Sequence, residues 1–509
     1  MEDATAAAAE SHGLHQHDKR LFWGCFIALI ATAFGFIIRA LIINDWGSDF
    51  NLTETQKGEL LGVGLWPFAI SIIVFSLIID RIGYKNAMIF GLVCHVISAV
   101  VTIFASGYWM LYIGTFIVAL GNGTVEAYIN PVVATIFKRD KTKWLNILHA
   151  GWPGGLVLGG VLTIALVDLD WQIKVGLILI PTLVYAVMLW NEKFPVHERV
   201  AAGVPYRDML AEVGIGGALI CTALITIEIG RVFGFSMWLV GIIVVVLVAI
   251  YGYYTRSFGR PMFLLMLIIM MPLATTELGV DSWITDLMTP EFSGLGINPG
   301  WVLVYTSAIM MVLRFFAGPI VHRLSPLGLL ATCAVVAAVG LFFLSKATGI
   351  AILLAATLYG VGKTFFWPTS LGVVAEQFPR GGALTLNAVA GVGMLAVGIV
   401  GNPFLGYFQD TAVNSNLVAY DEANNTDLHG RYVTLDKSGV FGRYEALDGA
   451  ALAEAPEADR ATIAQLQSGA KKDALKTVAI FPIFMLLCYL GLIFYFRSKG
   501  GYKPVELTE

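Results

Sequence analysis

A small set of ionisable side chains sits inside long apolar stretches of this 509-residue sequence: Arg39, Glu126, Glu277, Asp281, Arg314 and Lys363. An ionisable group at bilayer depth costs at least about 2.5–3.5 kcal/mol, so each needs a partner, a water-filled path or a function. Glu126, deep in its stretch, suits proton exchange, charged when its surroundings are wet and neutral when they close. The competing reading is a permanent ion pair with Arg39. Arg39 in turn either holds Glu126 ionised or grips an anionic solute through its planar fork. Glu277 and Asp281 stand four apart and share one helix face. They bind sodium or hydroxyl groups, or else pair with Lys363 and Arg314. Arg314, closer to the end of its stretch, reads as a snorkelling side chain or a brace for a gate.

Aromatic and amide groups accompany these charges. Trp66-Pro67, Trp152-Pro153 and Trp367-Pro368 each couple an indole to a helix break, and Asn122, Asn130, Asn146, Asn387 and Gln377 can hydrogen-bond hydroxyls. Trp367 and Asn130 are the candidates for solute contact, against the commoner role of such residues in packing. Catalytic chemistry finds no support. The sequence holds no GxxxxGK[ST] phosphate cradle, nucleophile triad or cofactor fingerprint. The five cysteines lie singly in apolar runs and read as buried thiols. His12, His15 and His17 lack a fourth ligand for a metal. The expectation is no enzyme, no cofactor and no metal.

The elements that position these residues follow from composition. Hydrophobic residues make up 57% and charged ones 13%, against about 25% charged in a soluble domain. A crossing helix needs about 20 apolar residues. Fourteen stretches qualify: 21–44, 58–79, 86–106, 109–137, 144–167, 173–191, 212–231, 236–254, 262–289, 301–322, 326–346, 349–377, 381–409 and 476–497. Basic residues cluster in alternate connections, as in Lys138-Arg139-Asp-Lys141-Thr-Lys143, whereas the other short loops and their edges hold only Lys57, Lys174, Arg231 and Lys346. The positive-inside rule puts both termini in the cytoplasm. The polar segment 411–475 then lies outside, with too few apolar residues to promise a core of its own. Residues 1–20 are polar and carry no cleavable signal pattern. The net charge of -4 gives no reason to expect a nucleic-acid partner.

The joints repeat. SLIIDRIGYK (76–85) parallels GPIVHRLSPLG (318–328), and GNGTVEAYINP (121–131) parallels GVGKTFFWP (360–368). The halves are spans 1–6 and 9–14, with two further helices within 212–254 between them. Duplicated six-helix halves with a site between them are a transporter architecture.

On these motifs the chain resembles the major facilitator superfamily. DRIGYK resembles its signature loop, which implies a gate in which Asp80 faces a neighbouring helix start while Arg81 and Lys85 reach across, with Arg323 in the second joint. GNGTVEAYINP and ELGVDSWI (277–284) resemble the fourth and seventh helices of the fucose–galactose–glucose/proton symporter family. That likeness implies that Glu126 is the membrane acid and that Lys363 is the better partner for Glu277, both lying on spans that line the second half's cavity. Where that family carries an acid in its first helix, this chain has Arg39.

The expected fold is therefore an all-α polytopic membrane protein of major facilitator type with 14 spans. It comprises a tail (1–20), a six-helix bundle (21–191), a linker with two extra helices (192–261), a second bundle (262–497) carrying the insert 411–475, and a tail (498–509). The expected function is secondary active transport of a small polar solute, a sugar or polyol, by alternating access in an inner or plasma membrane, coupled to protons in preference to sodium. An organic-anion carrier, and beyond it a transporter-like receptor, are the other readings.

Overall fold

The computed structural model describes residues 16–52, 54–280, 300–439 and 442–507. Thirteen helices among them are long and apolar enough to cross a membrane, and a fourteenth span appears if the bent pair Leu303–Phe315 and Ala317–Leu324, which turn by 64°, counts as one. The expected span 301–322 is this bent pair.

In the first half, α1 (Gln16–Phe50), α2 (Trp66–Ile82), α3 (Tyr84–Ile103) and α4 (Tyr108–Ile136) are followed by a broken span, α5 (Lys141–Leu148) with α6 (Gly151–Ala165), and by α7 (Leu179–Leu189). Glycines set how closely these pack. A Cβ on Gly155 would stand 2.5 Å from Ala33 Cβ on α1. The first half thereby forms one continuous apolar core with the second.

Two added helices, α8 (Tyr206–Phe233) and α9 (Met237–Thr255), form a hairpin whose ends are pinned by backbone bonds Ile215 N to Ser257 O (2.9 Å) and Arg260 N to Glu212 O (3.1 Å). Gly214 breaks α8 here at φ 61°, and a Cβ on it would lie 2.0 Å from Gly259 N, so only glycine fits. Helix α9 buries almost nothing and presents Trp238, Val245 and Tyr253 outward, as a lipid-facing helix does.

The second half runs α10 (Pro261–Ala274) with a π-turn at Thr275–Gly279, the bent pair α11 (Trp301–Phe315) and α12 (Ala317–Leu324), then α13 (Pro326–Leu344), α14 (Ile350–Lys363), α15 (Phe366–Gln377) and α16 (Gly382–Ala396). The halves meet along two seams. Gly160 of α6 faces Val304 of α11, and Gly391 of α16 faces Ile73 of α2.

The insert departs from expectation. The last two spans run on as α17 (Asn402–Asn424) and the front of α18 (Glu457–Val478), before α19 (Ile480–Ser498). Between them a hairpin pairs β1 (Val433–Gly439) with β2 (Gly442–Leu447) in antiparallel register. Val413, Leu417, Leu428, Tyr432, Val433 and Ile463 are buried together in a core separate from the main one. The apolar residues are few, but helical spacing and the hairpin bring them to one point. Asp421 Oδ1 and Oδ2 accept from Leu428 N (2.9 Å) and His429 N (2.8 Å), closing the turn at the top of α17. Burial works to raise the Asp421 carboxyl, but these bonds and one from Thr426 outweigh it and hold the group below its ordinary value.

Candidate functional site

Glu126 and Arg39 do not pair. Glu126 is buried in α4 and its Oε2 accepts from Asn130 Nδ2 at 2.6 Å, while the same amide nitrogen reaches the Glu126 carbonyl at 3.1 Å. Arg39 instead turns into the first bundle, donating to Gly35 O (3.0 Å), Ser98 Oγ (2.8 Å) and Thr102 Oγ1 (3.5 Å), the last two on α3. No carboxylate lies within ion-pair distance of it among the described residues, and its Nε has no partner there. The competing reading, a permanent pair, is not met, because α1 turns Arg39 toward α3 instead of toward Glu126.

In the second half the pairing also differs from expectation. Arg314, not Lys363, holds the Glu277 carboxylate, at 2.7 Å with both side chains buried. Arg314 is thus buried deep in the protein and does not snorkel. Lys363 donates to the Glu277 backbone carbonyl (3.3 Å) and lies 5.6 Å from the Tyr359 ring centroid. Glu277 Oε2 also accepts from Trp367 N (3.1 Å), a free amide in the first turn of α15, where an anion is favoured. Asp281 lies outside the described residues.

Arg314 has two further bonds, Nε to Thr364 O (2.7 Å) and Nη1 to His149 O (2.9 Å). Both carbonyls are free for one reason. Each stands four residues before a proline, Pro368 or Pro153, which has no N–H to close the helical bond. Ala127 O, four before Pro131, is likewise taken by Asn387 Nδ2 at 3.0 Å. Two proline-freed carbonyls of the first half are therefore held by side chains of the second. The chain closes through His149, whose Nε2 lies 2.9 Å from Asn130 Oδ1.

The Major Facilitator Superfamily model matches residues 24–401. The chain belongs to that superfamily. Facilitator proteins of solved structure share its fold over nearly all of both chains. The proton:xylose symporter XylE, bound to 6-bromo-6-deoxy-D-glucose, gives a TM-score of 0.58 at 14% identity, covering 92% of this chain and 94% of its own. The E. coli fucose:proton symporter FucP gives 0.54 at 15%, covering 90% and 98%. The human organic anion transporter MFSD10 gives 0.58 at 11%, covering 93% and 99%.

Curated relatives align over shorter stretches. The riboflavin transporter MCH5 of Saccharomyces cerevisiae is 31% identical over 143 residues, 26% of this chain and 27% of its own. The hexuronate transporter of Bacillus subtilis is 26% identical over 144 residues, 28% and 34%. The gentisate transporter of Corynebacterium glutamicum is 23% identical over 161 residues, 31% and 36%. The aligned stretches span about a quarter to a third of these relatives.

At the end of this facilitator fold that carries the basic loops, the halves are tied together. Asp80 of the signature loop pairs with Arg199 of the linker, which also donates to Val204 O (2.6 Å). Lys141 reaches Glu198 (2.5 Å) and Ala375 O (3.1 Å). Glu376 Oε1 accepts from Thr142 N (3.1 Å) and Thr142 Oγ1 (2.5 Å), and Asn146 Nδ2 reaches Thr369 Oγ1 at 3.1 Å. The tail joins this tie: Tyr502 Oη donates to Glu376 Oε2 (2.7 Å) and Val505 N to Glu376 O (2.8 Å). Of the expected gate residues only Asp80 makes a bond there. Arg81 lies over the Tyr206 ring at 4.8 Å, and Lys85 and Arg323 are exposed.

His149, Lys141, Glu198, Arg199 and Glu376 are the residues sequence reasoning missed. For His149 a signal existed in Pro153. The linker side chains carried none, since linker residues have no periodicity to orient them.

Proposed function

We propose that the protein is a proton-coupled secondary transporter of a small hydroxylated solute, with Glu126 as the group that takes and releases the proton. The observation that carries this reading is the neutral partner of Glu126. Removing charge from one member of a buried ion pair costs about 3–5 kcal/mol, whereas a hydrogen bond to a charged group contributes about 1.5–3 kcal/mol. An acid held by the Asn130 amide can be neutralised at lower cost than one held by a guanidinium, as Glu277 is by Arg314. Glu126 is thus the exchangeable acid and Glu277 the static one.

Asn130 bonds Glu126, and the amides of Asn146 and Asn387 each bond across the two halves, to Thr369 Oγ1 and Ala127 O; amides suit hydroxyl recognition. The cargo read from them is a sugar or polyol. A carboxylate-bearing solute is the second reading. Arg39 favours it, as a buried guanidinium without a carboxylate, as do the relatives named for hexuronate and gentisate. The basic end is read as cytoplasmic, with rocking of the halves opening the tie there.

Uptake into proteoliposomes tests both readings. A labelled hexose should accumulate under an imposed inward proton gradient, and Glu126→Gln should retain exchange while losing gradient-driven accumulation. Gradient-driven accumulation that survives in Glu126→Gln would overturn the assignment of Glu126. Uptake of a hexuronate but no hexose would transfer the cargo to the second reading.

A further inference from the structure

We propose that His149 is a positioning residue that transmits the protonation state of Glu126 to the bond Arg314 makes across the two halves. The proposal rests on the reading of Glu126 given above.

The direction of each hydrogen bond follows from its neighbours. Asn130 Nδ2 faces two oxygens of Glu126, the carbonyl and Oε2, so the amide nitrogen must point there. Asn130 Oδ1 is then an acceptor turned toward His149, and His149 Nε2 must carry the proton it donates. Donors and acceptors therefore run one way, from the His149 ring through Asn130 to the Glu126 carboxylate. If Glu126 takes up a proton, the charge-assisted bond at 2.6 Å becomes a weaker neutral one, and the grip of Asn130 on the imidazole weakens with it.

The backbone of the same residue is the other end of the relay. His149 sits at the break between α5 and α6, and Pro153 leaves its carbonyl without a helical donor. Arg314 Nη1 fills that vacancy from the second half. One residue thus joins, through its ring, the acid of the first half and, through its carbonyl, the guanidinium of the second. The charged and titratable groups around it are Glu126 on α4 by way of Asn130, Arg314 on α11 with Glu277 beyond it, and Glu376 of α15 at the basic end of α5. A loosened ring lets the backbone at 149–150 relax away from Arg314, which unties the seam between α6 and α11.

The test needs no substrate. Spin labels on Lys85→Cys and Arg323→Cys, exposed and on opposite halves, report the separation at the basic end by pulsed electron resonance. Cys488→Ser removes the native thiol that is not buried. In the otherwise native protein the distance distribution should change with pH, and Glu126→Gln should hold the low-pH distribution throughout. His149→Phe should lose the pH response or move its midpoint by at least one unit, and His149→Gln, which keeps a donor, should restore it. Pro153→Ala, which returns an N–H to the carbonyl, should widen the distribution at every pH.

If Glu126→Gln responds to pH like the native protein, the reading of Glu126 fails. If Glu126→Gln is unresponsive while His149→Phe keeps the native midpoint and amplitude, the role of His149 alone fails. Should His149→Phe not fold, the pair His149→Gln and Pro153→Ala decides: native behaviour in Pro153→Ala overturns the proposal.

Discussion

Glu376 accepts from Thr142 with one carboxylate oxygen and from Tyr502 with the other, so one side chain joins the first bundle, the second bundle and the tail. The tie at the basic end is a three-body contact. Deleting residues 500–507 should therefore loosen it, and removes as well the tail's contacts with the second bundle, Tyr502 on Phe496 and Gln377 Nε2 to Lys503 O (2.9 Å). The expected result is faster alkylation of a cysteine placed at Asn146, which the closed tie buries. Tyr502→Phe should reproduce part of the effect, a loss of about 1.5–3 kcal/mol for one hydrogen bond to a carboxylate. An unchanged alkylation rate in the deletion would remove the tail from the gate.

Arg314→Met should be among the most damaging substitutions in the protein. It leaves Glu277 as a buried charge without its guanidinium, and strands the carbonyls of His149 and Thr364. The expected cost is about 3–5 kcal/mol, seen as a lowered thermal midpoint in detergent. Adding Glu277→Gln should return a measurable part of it, because the uncompensated charge is then gone. If the double variant is no more stable than the single one, the pair is not the main stabilising contact of Arg314.

Arg39→Met should behave in the opposite sense. The guanidinium is buried without a carboxylate, and Ser98 keeps its bond to Gly114 O at 2.6 Å when Arg39 is removed. Thermal stability should be unchanged or rise slightly. Transport of a hexose should persist in this variant, whereas selective loss of hexuronate uptake in a folded protein would give Arg39 a role in binding cargo.

Acid should weaken the linker side of the gate through His197. Burial pushes its imidazole down from 6.5 to about 4, opposed by Asp80 and reinforced by Lys141 and Arg199. Its Nδ1 accepts from Arg199 N at 3.0 Å, a bond that a protonated ring cannot make. Above pH 6.5 the ring is neutral whether the segment is folded or not, so it adds no pH dependence. Below 6.5 the unfolded segment binds a proton that the folded one refuses, and stability falls until about pH 4. Hydrogen exchange at residues 197–204 should accelerate over that window, and His197→Asn should flatten the response.

Much of the fold was legible because lipid imposes a simple rule of apolar length, which marked the spans. Rotation about each helix axis was not legible. Hydropathy says that Glu277, Arg314 and Lys363 are deep, but not which cation faces the acid, and the structure favours Arg314. The same uncertainty left open whether Arg39 faces Glu126 or a solute, and its helix turns it toward Ser98. Proline spacing held more than was taken from it: Pro131, Pro153 and Pro368 each mark a vacant carbonyl four residues earlier, and all three are filled by side chains near the centre. The insert misled for a different reason. A handful of apolar residues makes a core when two helices already rooted in the bilayer bring them together at little entropic cost.

That rooting has a mechanical consequence. Because α17 and the front of α18 are continuations of spans, with their own packed centre and a hairpin cap, a tilt of those spans is carried into this packed unit. A binder clamped on the hairpin would grip the second half by a handle outside the main core, and would report any tilt of those two spans.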